Sequence, residues 1–181
     1  MTTTTDSGEA APAAASRRWR GSLGAFLRRR LRDLAVLVTG GGAVALLLAL
    51  LSYSPADPSP NVAIDAPVRN VLGAPGAAAA EIMLTWFGLA GFLAVPWLAA
   101  WAWRFYRDGR PPRRWWLRLI AAPIALGLAG MALASLPTPP TWPLRGELGG
   151  VLGTLGVANA ANGLGVPGWS ISLAALAAAA L

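Results

Sequence analysis

The sequence of 181 residues contains no cysteine, no histidine and no lysine, and only 13% of its residues are charged. Without cysteine, the chain can form neither a disulfide nor a thiolate metal site. Without histidine, it lacks the commonest ligand of zinc and haem and the usual base of a catalytic triad. Without lysine, these residues cannot include a phosphate-binding loop of the form G-x-x-x-x-G-K-[ST]. We therefore predict no catalytic, cofactor-binding or metal-binding residue in this chain, and no enzyme activity.

Long apolar runs take the place of these groups, and 55% of the residues are hydrophobic. Residues 34–53 hold twenty amino acids without a charge, directly after four closely spaced arginines. A helix of this length reaches about 30 Å, the thickness of the hydrocarbon core of a bilayer. A buried helix of a soluble protein is the alternative, but it is rarely this long without a charge. A cleaved signal peptide is disfavoured because its apolar region is shorter and because further apolar runs follow.

The whole pattern predicts an all-α, polytopic membrane helix bundle with four transmembrane helices, residues 34–181 forming the membrane domain. The predicted spans are residues 34–53, 77–103, 116–136 and 166–181. We expect Pro96 to kink the second span. The Gly-rich residues 146–165 predict a short interfacial or re-entrant helix before the fourth span. That span has only thirteen residues from Trp169 onwards, so the sequence looks cut inside its fourth transmembrane helix.

The residues before the first span differ sharply in composition. Residues 1–16 are rich in Thr and Ala and predict a disordered N-terminus, since they have nothing to bury. Residues 17–33 carry seven arginines, with Leu23, Phe26 and Leu27 at helical spacing. This pattern predicts a basic amphipathic cytoplasmic segment on anionic lipid. A nucleic-acid patch is the alternative for such a segment.

The arginines also predict the orientation of the spans. Thirteen of the fifteen lie before the first span or in residues 104–118, and only Arg69 and Arg145 lie in the other two loops. The positive-inside rule then places the N-terminus in the cytoplasm. Trp97, Trp101 and Trp103 gather at one end of the second span, which favours an interfacial aromatic belt over a cofactor-stacking role.

Several motifs resemble the N-terminal four-helix membrane domain of FtsK/SpoIIIE-type DNA translocases. Residues 52–59, SYSPADPS, are similar to the S-Y-x-P-x-D-P-S exit of the family's first helix. Residues 70–77, NVLGAPGA, are similar to its N-x-x-G-x-x-G-A lead into the second helix. The FGLA sequence at 87–90, the Trp-rich end with Arg104, and Gly149-Gly150-x-x-Gly153 also match. The resemblance covers residues 28–181.

The resemblance implies a membrane-anchoring and assembly domain of a septal DNA translocase in the bacterial inner membrane, acting in cell division and chromosome segregation. It implies that ATP, Mg²⁺ and DNA bind only to a motor domain outside these residues. The expected partners are the lipid bilayer, division-septum proteins and further copies of the chain. We expect self-association through the Gly149–Gly153 face, because small residues let membrane helices approach closely.

Two questions stay open at the level of sequence. An unrelated small transporter or channel subunit is the alternative function. Transporters normally carry ionisable residues inside their spans, whereas Glu81 and Arg118 lie at span edges here. The loop around Asp57 has the Asp-Pro and Ser-Pro pairs of ordinary turns, and partner binding by this loop is the alternative.

Overall fold

A computed structural model of the chain describes residues 10–58, 67–109, 114–140, 142 and 147–179, and it describes side chains from Gly24 onwards. These residues form six α-helices and one 3-10 helix, with no strand among them. The α-helices are α1 (Ala10–Leu51), α2 (Gly73–Phe87), α3 (Ala94–Asp108), α4 (Trp115–Leu133), α5 (Gly150–Leu164) and α6 (Gly168–Ala179), and the 3-10 helix is Gly88–Leu93. The predicted all-α class is confirmed.

Three segments are long and apolar enough to cross a bilayer. They are Gly24–Leu51, Gly73–Asp108 and Trp115–Leu133. A fourth, shorter apolar helix covers Gly168–Ala178. The order and approximate position of these segments agree with the four predicted spans and with a four-helix membrane domain.

Helix α1 is longer than the first predicted span. It is continuous from Ala10 to Leu51, so it includes the whole basic segment and residues 10–16, where we expected disorder. Ala and Arg are strong helix formers, and Pro12 lies in the first turn, where a missing N–H costs no helical hydrogen bond. Residues 1–9 lie outside the described part of the chain. The helix ends at Leu51, two residues before the predicted boundary.

Helix α3 packs antiparallel against α1. A Cβ atom built on Gly40 would lie 3.5 Å from Cβ of Ala102, and one on Gly109 would lie 3.4 Å from Cδ of Arg32. The end of α3 therefore lies beside the Arg-rich part of α1. Trp101 is buried, while Trp103 is largely exposed, so only part of the predicted aromatic belt faces outwards.

The second predicted span is broken rather than kinked at Pro96. It consists of α2, the 3-10 helix Gly88–Leu93, and α3. Gly88 has φ +60° and ψ −139°, a conformation that residues with a side chain disfavour. Pro96 is the third residue of α3, and the first turn of a helix tolerates the missing N–H of proline. The predicted kink at Pro96 is wrong, because the chain leaves the α-helical conformation at Gly88 and resumes it at Ala94, before Pro96.

Helices α4, α5 and α6 form the other side of the bundle. The hydroxyl of Ser172 on α6 donates a 2.8 Å hydrogen bond to the carbonyl oxygen of Met131 on α4. A Cβ atom on Gly168, at the start of α6, would lie 3.0 Å from Cγ1 of Val157 on α5. Residues 150–164 of the Gly-rich segment form a helix, as predicted, and this helix contacts α6. Its interfacial or re-entrant position stays a prediction.

Candidate functional site

The loop after α1 is fastened by the carboxylate of Asp57. This side chain is only 4% exposed. Its two oxygens each accept a 2.9 Å hydrogen bond, one from the backbone N–H of Arg69 and one from the backbone N–H of Asn70. A carboxylate that accepts two backbone N–H groups makes the stronger, charge-assisted kind of hydrogen bond. Asp57 therefore ties the exit of α1 to the lead-in of α2.

Asn70 closes the end of α1 from the other side of the loop. Its side chain is 4% exposed, and its Nδ2 donates to the carbonyl oxygens of Ala49 at 2.9 Å and Ser52 at 3.4 Å. Its Oδ1 accepts from the N–H of Leu72 at 3.1 Å. The last carbonyls of a helix have no partner within the helix. A side chain that follows the loop therefore caps α1, and the amide group serves because it donates through Nδ2 and accepts through Oδ1.

Ser52 and Gly76 complete this loop clasp, which we define as Ser52, Asp57, Asn70 and Gly76. The hydroxyl of Ser52 donates to the carbonyl of Leu48 at 2.6 Å and accepts from the N–H of Val71 at 3.2 Å. A Cβ atom on Gly76 would overlap Oδ1 of Asn70 and lie 2.6 Å from Cβ of Leu72. Any side chain at position 76 would therefore displace Asn70.

A second polar pair lies next to the loop clasp. The hydroxyl of Tyr53 donates a 2.6 Å hydrogen bond to Oε2 of Glu81, and the hydroxyl of Thr85 donates to Oε1 at 3.3 Å. Glu81 is 8% exposed and lies on the face of α2 that carries Ala77, Ala80 and Leu84. Since Tyr53 comes just after the end of α1, Glu81 lies at the edge of the apolar region.

An apolar cluster packs beneath this pair. Its buried members are Ala49 and Leu50 of α1 and Ala80 and Leu84 of α2. Ala80 is fully buried. In lipid, helices associate by close packing rather than by hydrophobic burial, and small residues such as alanine allow it. The loop clasp therefore continues into a tight contact between the first two helices.

Five glycines meet where the broken span, α4 and α5 cross: Gly88, Gly130, Gly149, Gly150 and Gly153. We call this set the glycine crossing. A Cβ atom on Gly130 would lie 2.8 Å from the carbonyl oxygen of Gly149, and one on Gly150 would lie 2.8 Å from the carbonyl oxygen of Trp86. The N–H of Leu89 donates a 2.9 Å hydrogen bond to the carbonyl oxygen of Leu148. Backbone therefore contacts backbone across three chain segments.

The glycine crossing corrects our expectation about self-association. A Cβ atom on Gly153 would lie 2.5 Å from the carbonyl oxygen of Gly130, and one on Gly149 would lie 2.9 Å from Cβ of Ala134. The Gly149–Gly153 face is thus covered by α4 of the same chain. It is not available to a second copy, and the prediction that this face mediates self-association is wrong.

The sequence motifs indicated where these sites lie but not what the residues do. SYSPADPS and NVLGAPGA come together as the two halves of the loop clasp, and Gly149-Gly150-x-x-Gly153 enters the glycine crossing. The sequence shows Glu81 as a charge at the edge of a predicted span, but no local pattern links it to Tyr53, 28 residues earlier. Among the described residues, no group of three or more acidic side chains could hold a metal ion.

Comparison with known proteins agrees with this architecture. A family model for the 4TM region of DNA translocase FtsK/SpoIIIE matches residues 28–181. The chain is 35% identical over 117 residues to a DNA translocase FtsK of Pseudomonas syringae pv. syringae (strain B728a), covering 61% of this chain and 14% of that protein. It is 38% identical over 97 residues to one of Bradyrhizobium diazoefficiens, covering 51% and 11% respectively.

A DNA translocase FtsK of Azospirillum brasilense is 35% identical over 82 residues, covering 44% of this chain and 13% of that protein. The matches thus cover only 11% to 14% of these three curated relatives. No solved structure matches the chain. The family match extends over most of the sequence and includes the loop clasp and the glycine crossing. The chain therefore belongs to the family of the 4TM region of DNA translocase FtsK/SpoIIIE.

Proposed function

We propose that this chain is the membrane-anchoring and assembly domain of a septal DNA translocase that acts in cell division and chromosome segregation. The observation that carries the proposal is the family match over residues 28–181, which coincides with a bundle of membrane-spanning helices. The buried polar side chains of Asp57, Asn70 and Glu81 bind groups of the same chain. Such a domain holds other parts of a protein at the membrane rather than performing chemistry itself.

The proposal assigns membrane anchoring to these residues and nucleotide and DNA binding to another part of the protein. The relatives are named DNA translocases, and this chain matches only a small part of each. ATP, Mg²⁺ and DNA bind to a motor domain outside these residues in this proposal. Without lysine, residues 1–181 cannot form the phosphate-binding loop that such a motor uses.

The proposed orientation has the N-terminus in the cytoplasm. The antiparallel contact of α1 with α3 brings Arg32 beside Gly109, so the two Arg-rich parts of the chain lie at the same end of the bundle. The loop clasp lies beyond the opposite end of α1. This arrangement supports the positive-inside assignment, because the described arginines of the two segments, which include Arg32 on α1 and Arg107 on α3, lie at that end of the bundle.

A transporter or channel subunit is the second candidate function, and one observation favours it. Transporters often contain helices that are broken inside the membrane and bind substrate at the break. Here the break at Gly88 is filled by the backbone of Leu148 and Gly150. Because the freed N–H of Leu89 is used within the chain, the break serves packing, and the anchor is the better proposal.

Assembly in this proposal includes self-association and contacts with division-septum proteins. A membrane domain that brings copies together raises the effective concentration of the attached motor without any new contact in the motor. The contact between copies uses a surface other than the Gly149–Gly153 face, since α4 covers that face.

The test is a fluorescent fusion of residues 1–181, expressed in dividing bacterial cells. We expect membrane fluorescence that concentrates at the division site. The matched control is a fusion of residues 1–58, which retains α1 but lacks the rest of the bundle and should be spread evenly along the membrane. An even distribution of the full fusion would contradict the septal role, and fluorescence in the cytoplasm would contradict the anchor itself.

A further inference from the structure

An apolar groove separates α3 from α4. It encloses about 490 Å³, and its lining carries no charged side chain. Trp97 and Leu98 form part of one wall, and Leu119, Ala122, Leu126 and Ala129 form part of the other. Helix α3 is held by α1 and helix α4 by α5 and α6, so nothing in the described chain fills the space between them.

The groove has the length of one leaflet. On α4 it extends from Leu119 to Ala129. Ten helical steps correspond to about 15 Å, which is half of the roughly 30 Å hydrocarbon core of a bilayer. It starts one residue after Arg118, at the Arg-rich end of the bundle. An acyl chain that enters from the leaflet at that end would therefore reach the far end of the groove near the bilayer midplane.

On both helices an arginine lies beyond the groove lining, towards the Arg-rich end of the bundle. Arg118 lies four residues before Ala122 on α4, and Arg104 lies seven residues after Trp97 on α3. Residues four or seven apart share a helix face, so both arginines continue the groove walls towards the membrane surface. Both are exposed, and the one ion pair among the described residues joins Arg32 to Asp33 elsewhere.

We propose that this groove binds one acyl chain of an anionic phospholipid, with the lipid phosphate held between Arg104 and Arg118. The apolar walls match the hydrocarbon chain, and the two guanidinium groups match the phosphate, which arginine binds with paired hydrogen bonds. A helix from a second copy would fill the apolar space but would leave the arginines without a counter-charge. The proposal is independent of the septal role.

Native mass spectrometry of the full chain in mild detergent tests the proposal. Phosphatidylglycerol and phosphatidylcholine with identical acyl chains are added separately. We expect one retained phosphatidylglycerol per chain and weaker retention of phosphatidylcholine. Since each basic residue near a membrane surface contributes about a fivefold preference for anionic lipid, R104Q/R118Q should lose about 25-fold of that preference. The control R69Q removes an exposed arginine at the other end of the bundle and should retain the preference.

A second pair of variants distinguishes lipid binding in the groove from lipid binding elsewhere on the surface of the bundle. A122W places an indole in the groove and should abolish retention of both lipids. I120W lies on the same helix but outside the groove lining, at a site already 56% exposed, and should change nothing. Far-ultraviolet circular dichroism of each variant checks that the helices remain.

Photo-crosslinking keeps the test independent of any variant. Phosphatidylglycerol with a diazirine in the middle of one acyl chain should label residues 119–129 and Trp97 of the unmodified chain. Equal retention of the two lipids, labelling spread evenly over the outward face of α1, or unchanged retention in A122W would each overturn the proposal. A dimer mass that disappears in A122W would assign the groove to a second copy and would overturn it as well.

Discussion

The hydroxyl of Tyr53 and the carboxylate of Glu81 are joined by a 2.6 Å hydrogen bond that links the end of α1 to the middle of α2. Glu81 is one of the few ionisable side chains near the apolar region, and its other oxygen accepts from Thr85. A buried carboxylate without partners costs free energy. The hydrogen bonds from Tyr53 and Thr85 offset that cost, so Glu81 can be buried beside the packed side chains of Ala80 and Leu84.

The first prediction is that Tyr53→Phe destabilises the bundle by about 1–3 kcal/mol, the contribution of a hydrogen bond to a buried charged group. Denaturant unfolding in detergent micelles measures the change. Tyr106→Phe is the control, because Tyr106 is 64% exposed and should lose almost nothing. In a double-mutant cycle with Glu81→Gln, a coupling energy near zero would show that the hydrogen bond does not contribute.

The second prediction concerns the donor role of Asn70. Asn70→Asp keeps the shape of the side chain but replaces Nδ2 with an oxygen that faces the carbonyl oxygen of Ala49, 2.9 Å from Nδ2. We expect a loss of about 2–3 kcal/mol, because the hydrogen bonds from Nδ2 to the carbonyls of Ala49 and Ser52 are both lost and the buried carbonyl of Ala49 is left without a partner. Thermal unfolding followed by size-exclusion chromatography measures it. Asn162→Asp, at an exposed position of α5, is the control, and equal effects of the two changes would contradict the capping role.

The third prediction compares two glycines on one helix. Gly130→Ala should destabilise the bundle by about 1–3 kcal/mol, since its Cβ would lie 2.8 Å from the carbonyl oxygen of Gly149. Gly127→Ala, one turn earlier, meets nothing within 4 Å and should stabilise α4 by about 0.5–1 kcal/mol through helix propensity. Denaturant unfolding distinguishes the two signs. If Gly130→Ala left the free energy of unfolding unchanged, α5 would not pack on α4 in the detergent-solubilised chain.

The fourth prediction tests the orientation, which the absence of native cysteine makes simple. Ala56→Cys and Asp108→Cys introduce single thiols at exposed positions, at opposite ends of the bundle. A maleimide reagent that cannot cross the membrane should label position 56 in intact spheroplasts and position 108 only after lysis. Labelling of both before lysis would contradict the arrangement of the spans, and the reverse pattern would invert the orientation.

The sequence predicted the features that depend on local composition. Uncharged runs predicted the order and approximate place of the three long apolar segments and of the shorter fourth helix. The arginines indicated which parts of the chain share one end of the bundle. The contact of Arg32 with Gly109 agrees with that arrangement. Span length and charge placement are local properties, and they can be read without knowledge of packing.

The features that depend on distant contacts could not be predicted. Pro96 was the strongest local signal for a kink, yet the break lies at Gly88 because the backbone of residues 148–150 approaches there. The Gly149–Gly153 face suggested a partner, but the sequence did not show that the partner is α4 of the same chain. Asn70 belongs to a motif that resembles the lead into the second helix, and only the folded loop reveals that it caps α1.

The hydrogen bond from Leu89 to Leu148 has a consequence for biosynthesis. Its acceptor lies 59 residues after its donor in the chain. At a synthesis rate of about 5–20 residues per second, the ribosome needs about 3–12 s to reach Leu148 after Leu89. A helix forms in microseconds or less, so the second span has time to enter the bilayer before its partner exists. The hydrogen bond that fills the break at Gly88 therefore forms late, and the N–H of Leu89 needs another partner until residues 148–150 arrive.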